Sequence, residues 1–160
     1  MKEKYAKKTR KIWEALESTY KGTKGALRFT NPFELLVAVV LSAQTTDKRV
    51  NQITLRLFPT YSTPEKFMTL SQDELESLIK DCGLFRMKVK NILATSHILV
   101  RDFNQEVPKT MEELVKLPGV GRKSANVILS QAFDIPGFAV DTHVMRVSHR
   151  LGLSKGKTPE

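Results

Sequence analysis

The sequence holds one cysteine, Cys82, and one tryptophan, Trp13, in 160 residues, and aromatics make up only 8%. A single cysteine excludes an internal disulfide and a cysteine metal cage, which fits a reducing compartment. Long apolar runs are also missing. The longest, Leu35 to Leu41, is far too short to span a bilayer. Met1 to Lys11 is charged and has no apolar stretch, so it does not read as a signal peptide. Acids are outnumbered, 17 against 26 Lys and Arg, for a net charge of +9. Such a surplus favours a polyanionic partner (DNA, RNA or an acidic membrane surface), although solubility alone can account for a basic small protein. The expectation is a soluble cytoplasmic chain, nucleoid-associated if the polyanion is DNA. No internal repeat, low-complexity tract or alternating strand pattern stands out.

What is present is helical periodicity. Tyr5, Ile12, Trp13, Leu16 and Tyr20 share one face of a first helix. Asn31-Pro32-Phe33-Glu34 reads as cap, N1 proline and capping-box acid. The helix it opens, Phe33 to Ala43, is apolar nearly all round and should be central. Asp47 to Phe58 follows, then a short helix opened by Thr63-Pro64. A capping box at Ser71-Gln72-Asp73-Glu74 starts another, ending near Gly83. Lys88 to Asp102 carries one apolar stripe, Thr110 caps a short helix ending at Leu117, and Arg122 to Phe133 is helical. Asp141 caps the next, through Leu151. Thr158-Pro159-Glu160 repeats the start signal without a helix behind it, so a truncated chain is expected. The fold class is all-α, with short polar turns.

The segment with most chemical content is Leu114 to Leu129. Pro118-Gly119-Val120-Gly121 is a tight turn leading straight into a helix. Glycines at 119 and 121 permit positive φ and leave backbone uncovered. A helix N-terminus behind such a turn offers N–H groups and partial positive charge to one phosphate, and Arg122 and Lys123 add full charge. Such contacts position a protein on DNA without reading sequence.

Leu117-Pro118-Gly119-Val120-Gly121-Arg122-Lys123-Ser124-Ala125-Asn126 resembles the helix-hairpin-helix signature of the endonuclease III family. Val140-Asp141-Thr142-His143-Val144 resembles the Asp-bearing half of that signature. Leu41-Ser42-Ala43-Gln44-Thr45-Thr46-Asp47 and Asn31-Pro32-Phe33-Glu34-Leu35-Leu36 match as well, so the resemblance runs over essentially the whole chain. It implies a helical barrel domain, 23–133, with the hairpin at about 110–133, and part of a second helical subdomain from 1–22 and 134–160. It also implies a bifunctional DNA glycosylase and AP lyase that removes oxidised pyrimidines from duplex DNA, acting as a monomer.

The chemistry needs only two side chains. Breaking an N-glycosidic bond builds positive charge on the sugar, which a carboxylate stabilises. An amine attacking C1′ gives an imine that permits β-elimination of the 3′ phosphate. The resemblance assigns these roles to Asp141 and Lys123. Adenine glycosylases of the same superfamily lack a lysine at that place and alkylation-repair relatives carry an aromatic, so Lys123 argues for lyase activity. Read without the family, a basic residue after a hairpin is a phosphate contact and an Asp before a helix is a cap.

A buried target must be flipped out of the duplex. The resemblance implies that Gln44 meets the widowed base and that Leu84 acts as an apolar wedge; ordinary core is the alternative for Leu84. Lys88 and Lys90 are candidates for flanking phosphates. Leu117, Gly119, Val120, Gly121 and Arg122 make up the DNA-binding hairpin. His143 is a phosphate or packing residue, His97 and His149 are structural or surface residues, and Cys82 is a buried small residue. The family's 4Fe-4S cluster is held by four cysteines in a segment that would lie beyond Glu160, so no metal or cofactor site is expected within this chain. Two other readings stay open: a sister glycosylase for mismatched or oxidised purine bases, and a DNA-binding fragment without activity.

Overall fold

A computed structural model describes residues 2–23 and 25–158, with side chains from residue 6 onward. The Tyr5 side chain and the Pro159-Glu160 part of the C-terminal start signal lie outside the described residues. Every regular element among the described residues is a helix, so the all-α expectation holds.

The chain forms two compact units, 1–25 with 140–160, and 26–139. Residues 134–139, expected in the outer subdomain, group with the larger unit. The Asn126 side chain explains why: its Nδ2 donates to the Phe138 carbonyl oxygen at 3.3 Å, and Gly137 lies so close that an added Cβ would stand 3.0 Å from Asn126 Oδ1.

In the larger unit, helix α2 (Pro32–Ser42) is the axis of packing. Phe33 through Leu41 are all buried, as the unbroken apolar sequence requires. It packs against α3 (Asp47–Leu57), α6 (Phe85–Asp102) and α8 (Arg122–Ala132). Helices α4 (Pro64–Met68) and α5 (Gln72–Ile79) cover α6, and α7 (Met111–Leu114) packs on α8. Local signals set the boundaries. Asn31 accepts the Glu34 N–H at 2.9 Å. The Glu34 carboxylate, however, returns to the N–H and hydroxyl of Thr30, one residue before the cap, at 2.6 and 2.9 Å. Ser71 and Glu74 close a full capping box. There the Ser71 hydroxyl, and after it the Ser71 N–H, hold the Glu74 carboxyl below its usual range. Helix α6 begins three residues earlier than its apolar stripe indicates, at Phe85.

The smaller unit holds α1 (Lys2–Tyr20) and α9 (Thr142–Leu151). Gly152 ends α9 in the left-handed conformation, φ +67°, where only glycine is unstrained. Trp13 and Tyr20, read as a packing face, are 66% and 61% exposed.

Candidate active site and nucleic-acid interface

The hairpin between α7 and α8 is held from inside. Leu114 and Leu117 are buried, and Val120 is 5% exposed. The Val120 N–H donates to the Leu117 carbonyl oxygen at 3.0 Å, closing the turn. Leu117 and Val120 were expected to bind DNA. Their side chains anchor the turn in the core, because a tight turn of this kind sends its apolar residues inward, so a DNA contact at these positions falls to their backbone. Gly119 takes φ +82° and sits against α6, where an added Cβ would meet Asn91 Nδ2 at 2.9 Å and Asn91 Cβ at 3.2 Å. Gly121 does not use positive φ. It is the extended N-cap of α8, φ −93°, and an added Cβ would meet open space. What Gly121 contributes is backbone without a side chain of its own to cap the first turn of α8. Arg122 and Lys123 are exposed on that turn.

A cleft of about 420 Å³ runs between the end of α2 and α8. Gln44, Gly119 and Lys123, three residues singled out in the sequence, line it together with Asp47, Ser124 and Gln131. Asp47 stands in the same sequence motif as Gln44 but carries no role in the sequence reading, where it is only a helix-start residue. Gln44 is exposed and left-handed, φ +53°.

Leu84 is also left-handed, φ +57°, as the N-cap of α6, and it is 59% exposed. This removes the core alternative for Leu84. Lys90 is exposed, whereas Lys88 is not. Lys88 was expected to hold a phosphate, yet it is 3% exposed. Its Nζ donates to the carbonyl oxygens of Leu41 and Ala43 at 2.8 and 2.6 Å and to Thr45 Oγ1 at 2.9 Å, and lies 3.1 Å from Cys82 Sγ. The amine is used up inside the protein, so Lys88 is not a phosphate contact.

In the smaller unit, Asp141 is the N-cap of α9 and accepts the Val144 N–H at 2.8 Å. His143 is exposed, with Nδ1 3.1 Å from Arg146 Nη2, so it does not pack between helices. His149 Nε2 lies 2.6 Å from the Gly156 carbonyl oxygen, a structural contact. The residues present do not fit an iron–sulfur cluster. The sole thiol, Cys82, is buried and donates to the Leu41 carbonyl oxygen at 3.3 Å within the Lys88 cluster, and a cluster of that kind takes several thiolates.

A buried hairpin turn with bare glycine backbone, followed by a basic first turn at the edge of a cleft, defines a helix-hairpin-helix protein. Residues 37–160 match the HhH-GPD superfamily base excision DNA repair protein, and the chain belongs to that superfamily. It is 51% identical over 150 residues to Endonuclease III of Rickettsia conorii, a match covering 94% of this chain and 71% of the relative. The fold resembles the protein of a non-covalent Endonuclease III–DNA complex, with a TM-score of 0.88 and 47% identity over 93% of this chain and 70% of that one. It also resembles the protein of a trapped Endonuclease III–DNA covalent intermediate, with a TM-score of 0.86 and 47% identity over 92% of this chain and 70% of that one.

Proposed function

We propose that this protein is a bifunctional DNA glycosylase and AP lyase of base excision repair, acting on oxidised pyrimidines in duplex DNA. The observation that carries the reading is the cleft lined by both Gln44 and Lys123, with Lys123 on the first turn after the hairpin. Gly121 and Arg122 seat a phosphate of the damaged strand at the start of α8. Gln44 fills the space of the extruded nucleotide and Leu84 wedges the stack. The Lys123 amine attacks C1′, the C1′–N bond breaks, and the base leaves with its electron pair. The sugar ring opens to an imine on Lys123. The imine acidifies the 2′ proton; its removal expels the 3′ phosphate and nicks the strand. Asp141 supplies the negative charge that stabilises the developing positive sugar. The reading includes a monomer acting on damaged double-stranded DNA.

The test is a panel of duplexes, each with one damaged base, assayed for excision, nicking and borohydride trapping. Duplexes with oxidised pyrimidines should be cut and should trap. Lys123→Ala should lose nicking and trapping while still binding DNA. Trapping by the alanine variant would mean another nucleophile, and cutting only at mismatches or oxidised purines would shift the assignment to a sister specificity.

A further inference from the structure

Helix α2 ends without a glycine. Its C-cap, Ala43, has φ −56° and ψ 115°, and the left-handed residue that follows it is Gln44, φ +53°, where a glycine is usual. The carbonyl oxygens of Leu41, which is buried, and of Ala43, at the exposed end of the helix, lie at the negative end of its dipole and take a donor from elsewhere. Lys88 supplies it from α6, across the packing interface. The same Nζ binds Thr45 Oγ1 and touches Cys82 Sγ, and Thr45 Oγ1 is itself 3.3 Å from Cys82 Sγ.

The cluster joins two turns. One, 43–46, carries Gln44; the other, 82–84, carries Leu84. Both residues are held in the left-handed region, which is strained for non-glycine residues and persists only where the surroundings impose it. Between the turns the fit is tight. A Cβ added to Gly83 would stand 3.2 Å from the Gln44 carbonyl oxygen and 3.7 Å from Thr45 Oγ1. Gly83 is not at positive φ, so its small size serves the approach of the turns rather than a backbone angle.

We propose that Lys88 is a positioning residue. Buried behind the DNA-facing surface, its amine pins the Gln44 turn to the Leu84 turn, so that the two side chains enter the duplex as one rigid pair. The inference rests on the function proposed above. It separates Lys88 from phosphate-binding lysines, since removing a phosphate contact weakens binding to any duplex, whereas releasing the two turns impairs extrusion of a base.

The experiment compares the wild-type chain with Lys88→Met, Gly83→Ala and Lys90→Ala. Single-turnover base excision is measured on a duplex with one oxidised pyrimidine, nicking on a duplex with a preformed abasic site, and affinity for undamaged duplex as a function of salt. Lys88→Met should slow excision by roughly tenfold to a hundredfold, the scale of a misplacement near 1 Å. Nicking at the abasic site, where no base must be extruded, should fall much less. The log–log salt slope should stay at the wild-type value. A slope smaller by about 0.9 would identify a phosphate contact and overturn the proposal. Gly83→Ala, which wedges the turns apart and keeps the lysine, should reproduce the selective loss of excision; it decides the matter if Lys88→Met fails to fold. Lys90→Ala, the comparison for a phosphate contact, should lower the slope and weaken binding to every duplex alike. If Gly83→Ala folds and excises as wild type, the proposal is wrong. If the wild-type chain itself neither excises nor nicks, it is the glycosylase reading that fails.

Discussion

Asp141 has one carboxylate oxygen committed to the Val144 N–H at 2.8 Å, and its assigned role needs the charge, not the hydrogen bond. The two properties separate in Asp141→Asn. Asparagine caps a helix about as well as aspartate, so stability should change by only a few tenths of a kcal/mol. Loss of the negative charge facing an oxocarbenium-like sugar should lower excision by roughly 10²–10³. Thermal unfolding and single-turnover excision measure the two quantities independently, and equal excision by both proteins would leave Asp141 as a cap alone. At this scale the sequence was informative about which residue types cluster and less so about where they point. Gln44 and Lys123 line one cleft, a juxtaposition that neither motif states by itself. Lys88 differs from the expectation because a motif names positions without showing which way a side chain points. For Lys88 a signal existed. It stands in register with Ile92, Thr95, Ser96 and Leu99, all buried on α6, so a lysine in phase with a buried stripe should have been read as an internal donor.

Helix α6 organises the surface that the hairpin completes. Lys88, Asn91 and Thr95 fall at i, i+3 and i+7, on one face. Lys88 fixes the turn after α2. Asn91 packs against Gly119, and Thr95 Oγ1 donates to the Pro118 carbonyl oxygen at 3.2 Å. One helix thus sets the register of the Gln44 turn, the Leu84 cap and the hairpin. The capping signals at Asn31, Ser71, Thr110 and Asp141 located helix starts from sequence because each is a local hydrogen bond. The α6 start was missed because Leu84 caps it without a side-chain acceptor and in a left-handed conformation that tertiary contacts impose. The close packing at Gly119 gives a direct prediction. Gly119→Ala forces a side chain into φ +82° and against Asn91, which should cost about 1–3 kcal/mol. Urea denaturation should show a lower midpoint with an unchanged m value. Adding Asn91→Ala, which clears the 2.9 Å contact, should recover part of the loss and leave the backbone strain. If Gly119→Ala is as stable as wild type, the close approach inferred for the turn is wrong.

The two units differ in how much they bury. Every buried residue among those described lies within 26–139, and α9 has none. Helix α1 presents Trp13, Leu16 and Tyr20 to solvent, at 66%, 42% and 61% exposure. The sequence showed an amphipathic face there, but periodicity reports the capacity to pack and not the presence of a partner. A helix without buried side chains has little beyond its own hydrogen bonds to resist opening, whereas the amides of α2 open only when the core does. Amide hydrogen exchange should therefore separate them. Helix α2 should exchange at the rate of global unfolding, and α1 should exchange by local fraying. For a domain stable by about 5 kcal/mol, at about 1.4 kcal/mol per decade, the difference is roughly three decades or more in protection. Comparable protection in α1 and α2 would show that the smaller unit draws on packing which its exposed Trp13 and Tyr20 do not reveal. The outcome bears on catalysis as well, since Asp141 starts α9 in that smaller unit. If α9 exchanges as fast as α1, a duplex with a non-cleavable abasic-site analogue should slow exchange in α9 more than in α2, because α2 is already protected by the core and α9 gains its order from the bound complex.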